Sequence, residues 1–271
     1  MVFRHPNTTH SGHTAHWAYS VQKPLRLVTY NIHKGVQGLG PMGRLEIHNL
    51  RQAIEKIGAD IVCLQEVRHF NTQQAKRFKN WPQSPQSEFL APQGYFSAYK
   101  TNAFTKHGEH GNALLSKWPI LTNQHEDISD HRLEQRGLLH VVIDYKGVPL
   151  HVVVLHLGLF ARSRRRQIAK LGEFIDREIG ADESLIVAGD FNDWNSALAP
   201  MLLEMGLSHS PAQGASQVRG NKIATFPSRL PLLQLDYVYT RGLRCGQCYT
   251  PLGKHWAKLS DHLPLIVDFE Q

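Results

Sequence analysis

Four apolar runs, far apart along the chain, are each bounded by a carboxylate, an amide or an imidazole: Thr29-Tyr30-Asn31, Leu64-Gln65-Glu66, Gly189-Asp190-Phe191-Asn192 and Ser260-Asp261-His262. Short apolar runs of this kind read as strands buried within a sheet. Strands that end in such groups can gather them at one sheet edge. There they could hold a hard divalent cation and activate a water molecule, so the pattern constrains both the fold and the chemistry.

The stretches between the runs fit that geometry. A strand begins near Pro24 and runs to Ile32, and Arg44 to Ile57 has apolar residues at helical spacing, stopped by Gly58. A buried strand from Asp60 to Glu66 follows. In such a strand-helix-strand unit, Asn31 and Glu66 lie on the same side of the sheet if the strands are parallel. A second unit is expected later: a strand from Val148 to Leu157, a helix from Ala161 to Ile179 with one apolar face, and a strand from Ser184 to Asp190. Between the units, Asn71 to Gln93 reads as a helix followed by a loop. Gly94 to Lys100, Gly111 to Ser116, Ile120 to Ile128 and Gly137 to Tyr145 read as strands, with Lys146-Gly147 as a hairpin turn. Strands at Gln234 to Thr240, Leu243 to Thr250 and Leu263 to Phe269 close the pattern. No linker divides the chain, so residues 24–271 are expected to form one domain. Residues 1–23, with His5, His10, His13 and His16, read as a disordered tail.

Lys and Arg outnumber Asp and Glu by 30 to 23, a formal charge of +7, which favours nucleic acid, phosphorylated small molecules or an acidic membrane surface as partner. The 3 cysteines, Cys63, Cys245 and Cys248, are too few for a disulfide framework. Cys245 and Cys248 form a single Cys-x-x-Cys that in a regular strand points to opposite faces, which argues against a zinc site. Neither a signal peptide nor a stretch able to span a bilayer is evident, and a cytoplasmic location is the expectation.

Phosphate ester hydrolysis in water is slow enough to require several cooperating groups. An ion such as Mg²⁺ (Mn²⁺ as the alternative) prefers oxygen ligands, and Asn31, Glu66 and Asp261 suit that role. A separate acceptor must orient and deprotonate the attacking water; Asp190 is the candidate, with Asn192 as a hydrogen-bond donor beside it. A cationic imidazole could bind a phosphate oxygen if a carboxylate held its far nitrogen, and Asp236 is the expected partner of His262.

With these motifs in place, the chain resembles the endonuclease/exonuclease/phosphatase superfamily from about Leu25 to Phe269. The resemblance implies a four-layer α/β sandwich, two mixed sheets packed face to face with helices outside, and metal-dependent hydrolysis of phosphate esters. It also implies that Asn31 and Glu66 belong to a metal site, and that His156 in Leu155-His156-Leu157 contacts phosphate. Asp190 and Asn192 would handle the water, Asp236 would orient His262, and Asp261-His262 would form the terminal dyad. Arg136 stands where some members carry a phosphate-binding arginine, and Glu109 and His110 would line the cleft or a loop. The segment Pro231-Leu232-Leu233-Gln234-Leu235-Asp236 departs from both the inositol phosphatase and the exonuclease III patterns. A nuclease acting on DNA or RNA is the first expectation. The alternatives are a lipid or small-molecule phosphoesterase, whose Arg162, Arg164, Arg165 and Arg166 would meet anionic headgroups in peripheral contact with a membrane, and a catalytically silent binding module.

Overall fold

The computed structural model describes residues 23–38, 42–131, 134–209 and 223–270. The proposed tail, apart from Lys23 but including its four histidines, lies outside the described residues. In chain order the first half comprises β1 (Leu25–Asn31), β2 (Val36–Gln37), β3 (Arg44–Leu45), α1 (Ile47–Ile57), β4 (Ile61–Val67), α2 (Thr72–Arg77), α3 (Gln86–Leu90), β5 (Phe96–Thr105) and β6 (Gly108–Ser116). The second half comprises β7 (Ile120–Asp127), β8 (Gly137–Tyr145), β9 (Val148–His156), α4 (Ala161–Glu178), β10 (Leu185–Asp190), α5 (Ala199–Glu204), β11 (Ser208–His209), β12 (Asp236–Arg241), β13 (Cys245–Tyr249) and β14 (Leu265–Phe269).

Two six-stranded mixed sheets result, ordered β13-β14-β1-β4-β6-β5 and β11-β12-β10-β9-β8-β7, with β2 and β3 forming a small separate hairpin. Both strand-helix-strand units close as parallel pairs. β1 lies parallel to β4 with Asn31 opposite Gln65, and β9 lies parallel to β10 with His156 opposite Asp190. Leu27, Ile61, Cys63 and Val267 from one sheet meet Val141, Val152, Val154 and Ile186 from the other in an apolar interlayer, crossed by buried Asn112, which donates to the Gly137 and Val154 carbonyls. The opposite face of the first sheet is covered by Leu50, Ile54 and Ile57 of α1, and that of the second by Ile168, Leu171 and Phe174 of α4. The fold is the four-layer sandwich. Its central strands are apolar on both faces because each face is covered, which is why they read as unbroken apolar runs.

Local sequence accounts for the element ends that matter. α1 buries Ile47, Leu50, Ala53, Ile54 and Ile57 along one stripe and stops at Gly58, whose left-handed φ of 59° lets its N–H close on the Ile54 carbonyl. Gly189, at φ 154°, passes so close to β9 that a Cβ would run into the Leu155 carbonyl. Asp190 can therefore sit level with His156 only behind a glycine.

Three local expectations are corrected. Asn71 to Gln93 forms two short helices, the first capped by the Asn71 side chain accepting from the Gln74 N–H. The strand expected from Gln234 begins at Asp236, because the Leu235 N–H is held by the Thr225 hydroxyl. In β13 a register shift between Cys245 and Gln247 puts both cysteines against the interlayer core, where regular alternation would place them on opposite faces.

Candidate active site

Asp190 is the centre of the site. It ends β10, is 1% exposed, and reaches across the gap between the sheets: its Oδ2 accepts from Asn31 Nδ2 at 3.0 Å. Its Oδ1 accepts from the Asn192 backbone N–H at 3.0 Å, in a turn where Asn192 takes a left-handed φ of 50°. That turn leaves the Asn192 side chain donating to the Leu157 carbonyl at 2.9 Å, which ties the ends of β9 and β10 together. A non-glycine residue in this region is uncommon and marks a locally imposed geometry.

Two imidazoles face the same carboxylate. His156 Nε2 lies 3.5 Å and His262 Nε2 3.6 Å from Asp190 Oδ2. The other side of the His262 ring is held by Asp236, whose Oδ2 is 2.8 Å from Nδ1. Burial works against charging His262, but Asp236 and Asp190 overcome it and push its pKa up to about 10. Among the described residues no carboxylate hydrogen-bonds the far nitrogen of His156; burial and the nearby Arg136 guanidinium push it down to about 4, against the pull of Asp190 and Glu66. Burial raises the Asp190 carboxyl above its ordinary range, against the pull of both histidines. The site thus sets one imidazole whose pKa is raised and one whose pKa is lowered on either side of a carboxyl group that burial makes harder to ionise.

The first sheet supplies a second group. Glu66 lies where the pairing of β4 with β6 shifts between Leu64 and Val67, and its φ of 56° belongs to that bulge. Bulges re-aim side chains next to sites. Here the carboxylate lies 3.4 Å from Asn31 Nδ2, and its other oxygen 2.7 Å from Lys34 Nζ. Burial would raise the Glu66 pKa, yet Lys34, His156 and His33 together hold it well below the usual carboxylate range. Asp261 is more open, its side chain 43% exposed, with His33 Nδ1 3.9 Å away. It is joined to the rest through Ser260, whose hydroxyl lies 2.7 Å from the Asn31 carbonyl and 3.2 Å from Asp261 Oδ1.

The expected residues therefore assemble at one edge. Asn31, His156, Asp190, Asn192, Asp236 and His262 form a connected buried set, joined at its edge by half-buried Glu66, and Asp261 lies on its open flank. Arg136 lies beside His156, but its guanidinium is paired with Glu134 at 3.2 Å and donates to the Leu157 carbonyl. His110 shares the field of Lys34, Glu66 and Arg136, with burial and the cations pushing it down to about 4; Glu109 accepts from the Thr101 hydroxyl. The arginine cluster divides. Arg164 is buried, donating to the Leu159 carbonyl at 2.6 Å; Arg162, Arg165 and Arg166 are exposed, and Arg166 pairs with Asp130 at 2.8 Å. Lys34 was not singled out by sequence reasoning: its neighbours give no sign that a positive φ of 61° swings it onto a carboxylate thirty-two positions away.

Two groupings could attract a cation. Ligand-type atoms of Asp190, Asp236 and His262 all lie within 4.8 Å of one another. Their hydrogen bonding and the held charge on His262 make them a proton-bearing relay, since an imidazolium has no lone pair to give a metal. Glu66 and Asn31 instead offer hard oxygen donors, and the ammonium already drawn onto Glu66 shows that this half-buried carboxylate attracts a positive partner. Those residues fit a divalent ion such as Mg²⁺.

The endonuclease/exonuclease/phosphatase family model matches residues 28–262. The Escherichia coli K12 protein named uncharacterized protein YbhP is 36% identical over 251 residues, covering 91% of this chain and 96% of that protein. Among solved structures, an endonuclease/exonuclease/phosphatase from Bacteroides vulgatus superposes with a TM-score of 0.69 at 19% identity, covering 92% of this chain and 99% of that one. The human Nocturnin catalytic domain with bound sulfate anion gives 0.65 at 23% identity, covering 91% and 94%. At these identities the two structures speak to the fold.

Proposed function

Since the chain belongs to the endonuclease/exonuclease/phosphatase family, we propose that it is a divalent-metal-dependent hydrolase of phosphodiesters that uses the Asp190 edge as its active site. One observation carries this reading above the rest. Asp190 is a buried carboxyl group oriented by Asn31 and Asn192 and flanked by two histidines, one held cationic and one held neutral near neutral pH. Groups whose surroundings push their pKa values apart are the usual material of acid–base chemistry.

Asn31 and Glu66, with Asp261 at the open side, would hold Mg²⁺ or Mn²⁺. When bound there, the ion supplies positive charge for the phosphoryl oxygens and the leaving group. Asp190 accepts a proton from water as the water oxygen bonds to phosphorus and the ester P–O bond breaks. The departing alkoxide becomes an alcohol with a proton from solvent, leaving a phosphomonoester. His262, kept cationic by Asp236, donates to a phosphoryl oxygen, and neutral His156 donates to a second. Arg136 braces the Leu157 carbonyl from the side of the cleft and adds to burial in keeping His156 uncharged.

For the substrate, the net charge of +7 supports nucleic acid, the first expectation, which predicts nicking of plasmid or shortening of RNA. The rim of the site supports a different class of phosphodiester, for the reasons given below. Among the described residues no helix is long and apolar enough to cross a membrane.

Turnover of bis(p-nitrophenyl) phosphate is the first test. We expect hydrolysis that requires Mg²⁺ or Mn²⁺ and drops by about 10³-fold in Asp190→Ala, as expected for loss of a positioned base, with an unchanged circular dichroism spectrum. Metal-independent turnover, or an Asp190→Ala protein as active as the wild type, overturns the reading.

A further inference from the structure

Three loops leave the edge where Asp190, His156 and His262 meet, and each turns large apolar side chains to solvent. After β9, Leu159 and Phe160 are exposed, Phe160 at 65%. After β10, Trp194 is 48% exposed, with the Arg164 guanidinium 5.7 Å from its ring. Ahead of β12, the turn from Phe226 to Leu233 exposes Leu230 at 65% and Leu232 at 69%. Because β12 starts opposite the end of β10, with Asp236 level with Asp190, this third loop rises from the same edge as the other two.

The exposure is built in. Phe226 and Leu233 close the third loop with reciprocal backbone hydrogen bonds of 2.9 and 2.8 Å, and the Ser228 N–H donates to the Asp261 carbonyl at 2.7 Å. The Phe226 ring packs 5.0 Å from that of His262. The two leucines are thus carried on a loop bolted to the catalytic edge and cannot fold back without breaking it. In the second loop, the Tyr237 hydroxyl donates to the Asp193 carbonyl at 2.8 Å, just before Trp194. Apolar side chains that converge on one rim mark an interaction surface, whereas scattered ones do not.

The charges beside them select the partner. Arg229 lies next to Leu230, and Arg162 and Arg165 follow Phe160 on the first turns of α4, all exposed. A single-stranded nucleic acid would also meet arginines, and its bases would stack on Phe160 and Trp194. It has no use for Leu159, Leu230 and Leu232, since aliphatic side chains provide no stacking face. Apolar groups ringed by arginine match the two layers of a bilayer surface, acyl chains beneath anionic headgroups.

We infer that this rim docks on an anionic phospholipid bilayer, with Leu230 and Leu232 entering the acyl boundary and Arg162, Arg165 and Arg229 meeting headgroup phosphates. Docking in this way brings the Asp190 edge against lipid phosphodiesters. The inference about substrate rests on the phosphoesterase reading; the inference about docking does not.

Flotation of the full chain with vesicles separates the two. The wild type should rise with vesicles of phosphatidylglycerol and phosphatidylcholine and remain behind with pure phosphatidylcholine. Leu230→Ser/Leu232→Ser should partition at least about 100-fold more weakly, as removal of two inserted leucine side chains requires, while hydrolysing soluble bis(p-nitrophenyl) phosphate at the wild-type rate. Its release of headgroup phosphate from the same vesicles should fall in proportion to its binding. Wild-type protein that ignores anionic vesicles, or a double variant that binds them unchanged, overturns docking. Binding that depends on the leucines without phosphate release by a protein active on the soluble diester leaves docking standing and overturns the lipid substrate. Failure on the soluble diester strikes the phosphoesterase reading instead. Cleavage of single-stranded oligonucleotide that falls in the leucine variant would reassign the rim to nucleic acid.

Discussion

His156 and His262 make a natural controlled pair. Both are buried, both place Nε2 within 3.6 Å of the same oxygen of Asp190, yet one is pushed down to about 4 and the other up to about 10. Neither burial nor the shared carboxylate explains the divergence, because the two residues have both in common. The difference lies one neighbour further out: Asp236 stands 2.8 Å from His262, whereas His156 has the Arg136 cation nearby. The charge state of each imidazole is set by what supports it from behind, so the supporting residues govern the chemistry as much as the histidines do.

The sharpest way to break the comparison is to remove Asp236. In Asp236→Asn the shape is kept and the second negative charge is lost, so His262 should come to resemble His156. Diester turnover should fall by about 10²-fold at neutral pH, in the range found for groups that orient and charge a catalytic partner. The pH–rate profile should change as well. In the wild type, activity that needs the imidazolium persists until pH passes about 10; in the variant that alkaline limb should move toward the ordinary imidazole range. A limb that stays in place would mean that His262 does not act as a cation. The same shift has a consequence for folding. Because the folded-state pKa is raised, the stabilisation from His262 is complete below about pH 6.5, declines above it, and is gone once pH exceeds about 10.

His156→Gln should have the smaller effect, since glutamine can still donate a neutral hydrogen bond. Turnover should fall by about tenfold with the alkaline limb unmoved. The effect on stability runs on the acid side. Between about pH 6.5 and about 4 the unfolded chain takes up a proton that folded His156 refuses, so the wild type loses stability as pH falls through that window. Thermal melts of His156→Gln across that range should be flatter. They should not become level, because His140, pushed down to about 4 by burial beside His151, makes the same acid-side contribution from under α4. Equal acid sensitivity in the two proteins would show that His156 protonates freely in the fold.

The reach of the sequence can be judged residue by residue. Strands such as Leu185–Asp190, buried along their whole length, were legible because covering a sheet on both faces removes all need for polar alternation. Asp190 and His262 could be singled out because a titratable group beside such a run is conspicuous, and the partnership of Asp236 with His262 is what a cationic imidazole needs behind it, a need that the family likeness also implies. The short helices Thr72–Arg77 and Gln86–Leu90 were not resolved, since six or five residues do not establish a period. The bulge in β13 was hidden because register depends on the partner strand β14, not on Cys245 or Cys248. The position of Lys34 depends on a left-handed backbone two residues beyond β1 and on a bulge in another strand, neither of which is written in the residues near it.

Lys34 carries the comparison from histidines to the metal side of the site, where the smallest effect is expected. Glu66, like Asp236, is a carboxylate with one close cationic partner, though only half-buried; its partner is an ammonium at 2.7 Å on a flexible stem. A divalent ion approaching Glu66 must share or displace that charge, and like charges held close in a poorly solvated site repel strongly. Lys34→Met keeps much of the apolar stem and removes the ammonium. We expect Mn²⁺ to bind this variant about threefold to tenfold more tightly by calorimetry, equivalent to about 1 kcal/mol of relieved repulsion. Glu66→Gln should weaken the same binding by more than Lys34→Met strengthens it, because it deletes the ligand itself. If Lys34→Met leaves Mn²⁺ affinity untouched, the ammonium swings clear without cost and Glu66 is matched to its metal by Asn31 and Asp261 alone. If affinity falls, Lys34 supports the site through its packing rather than competing for it.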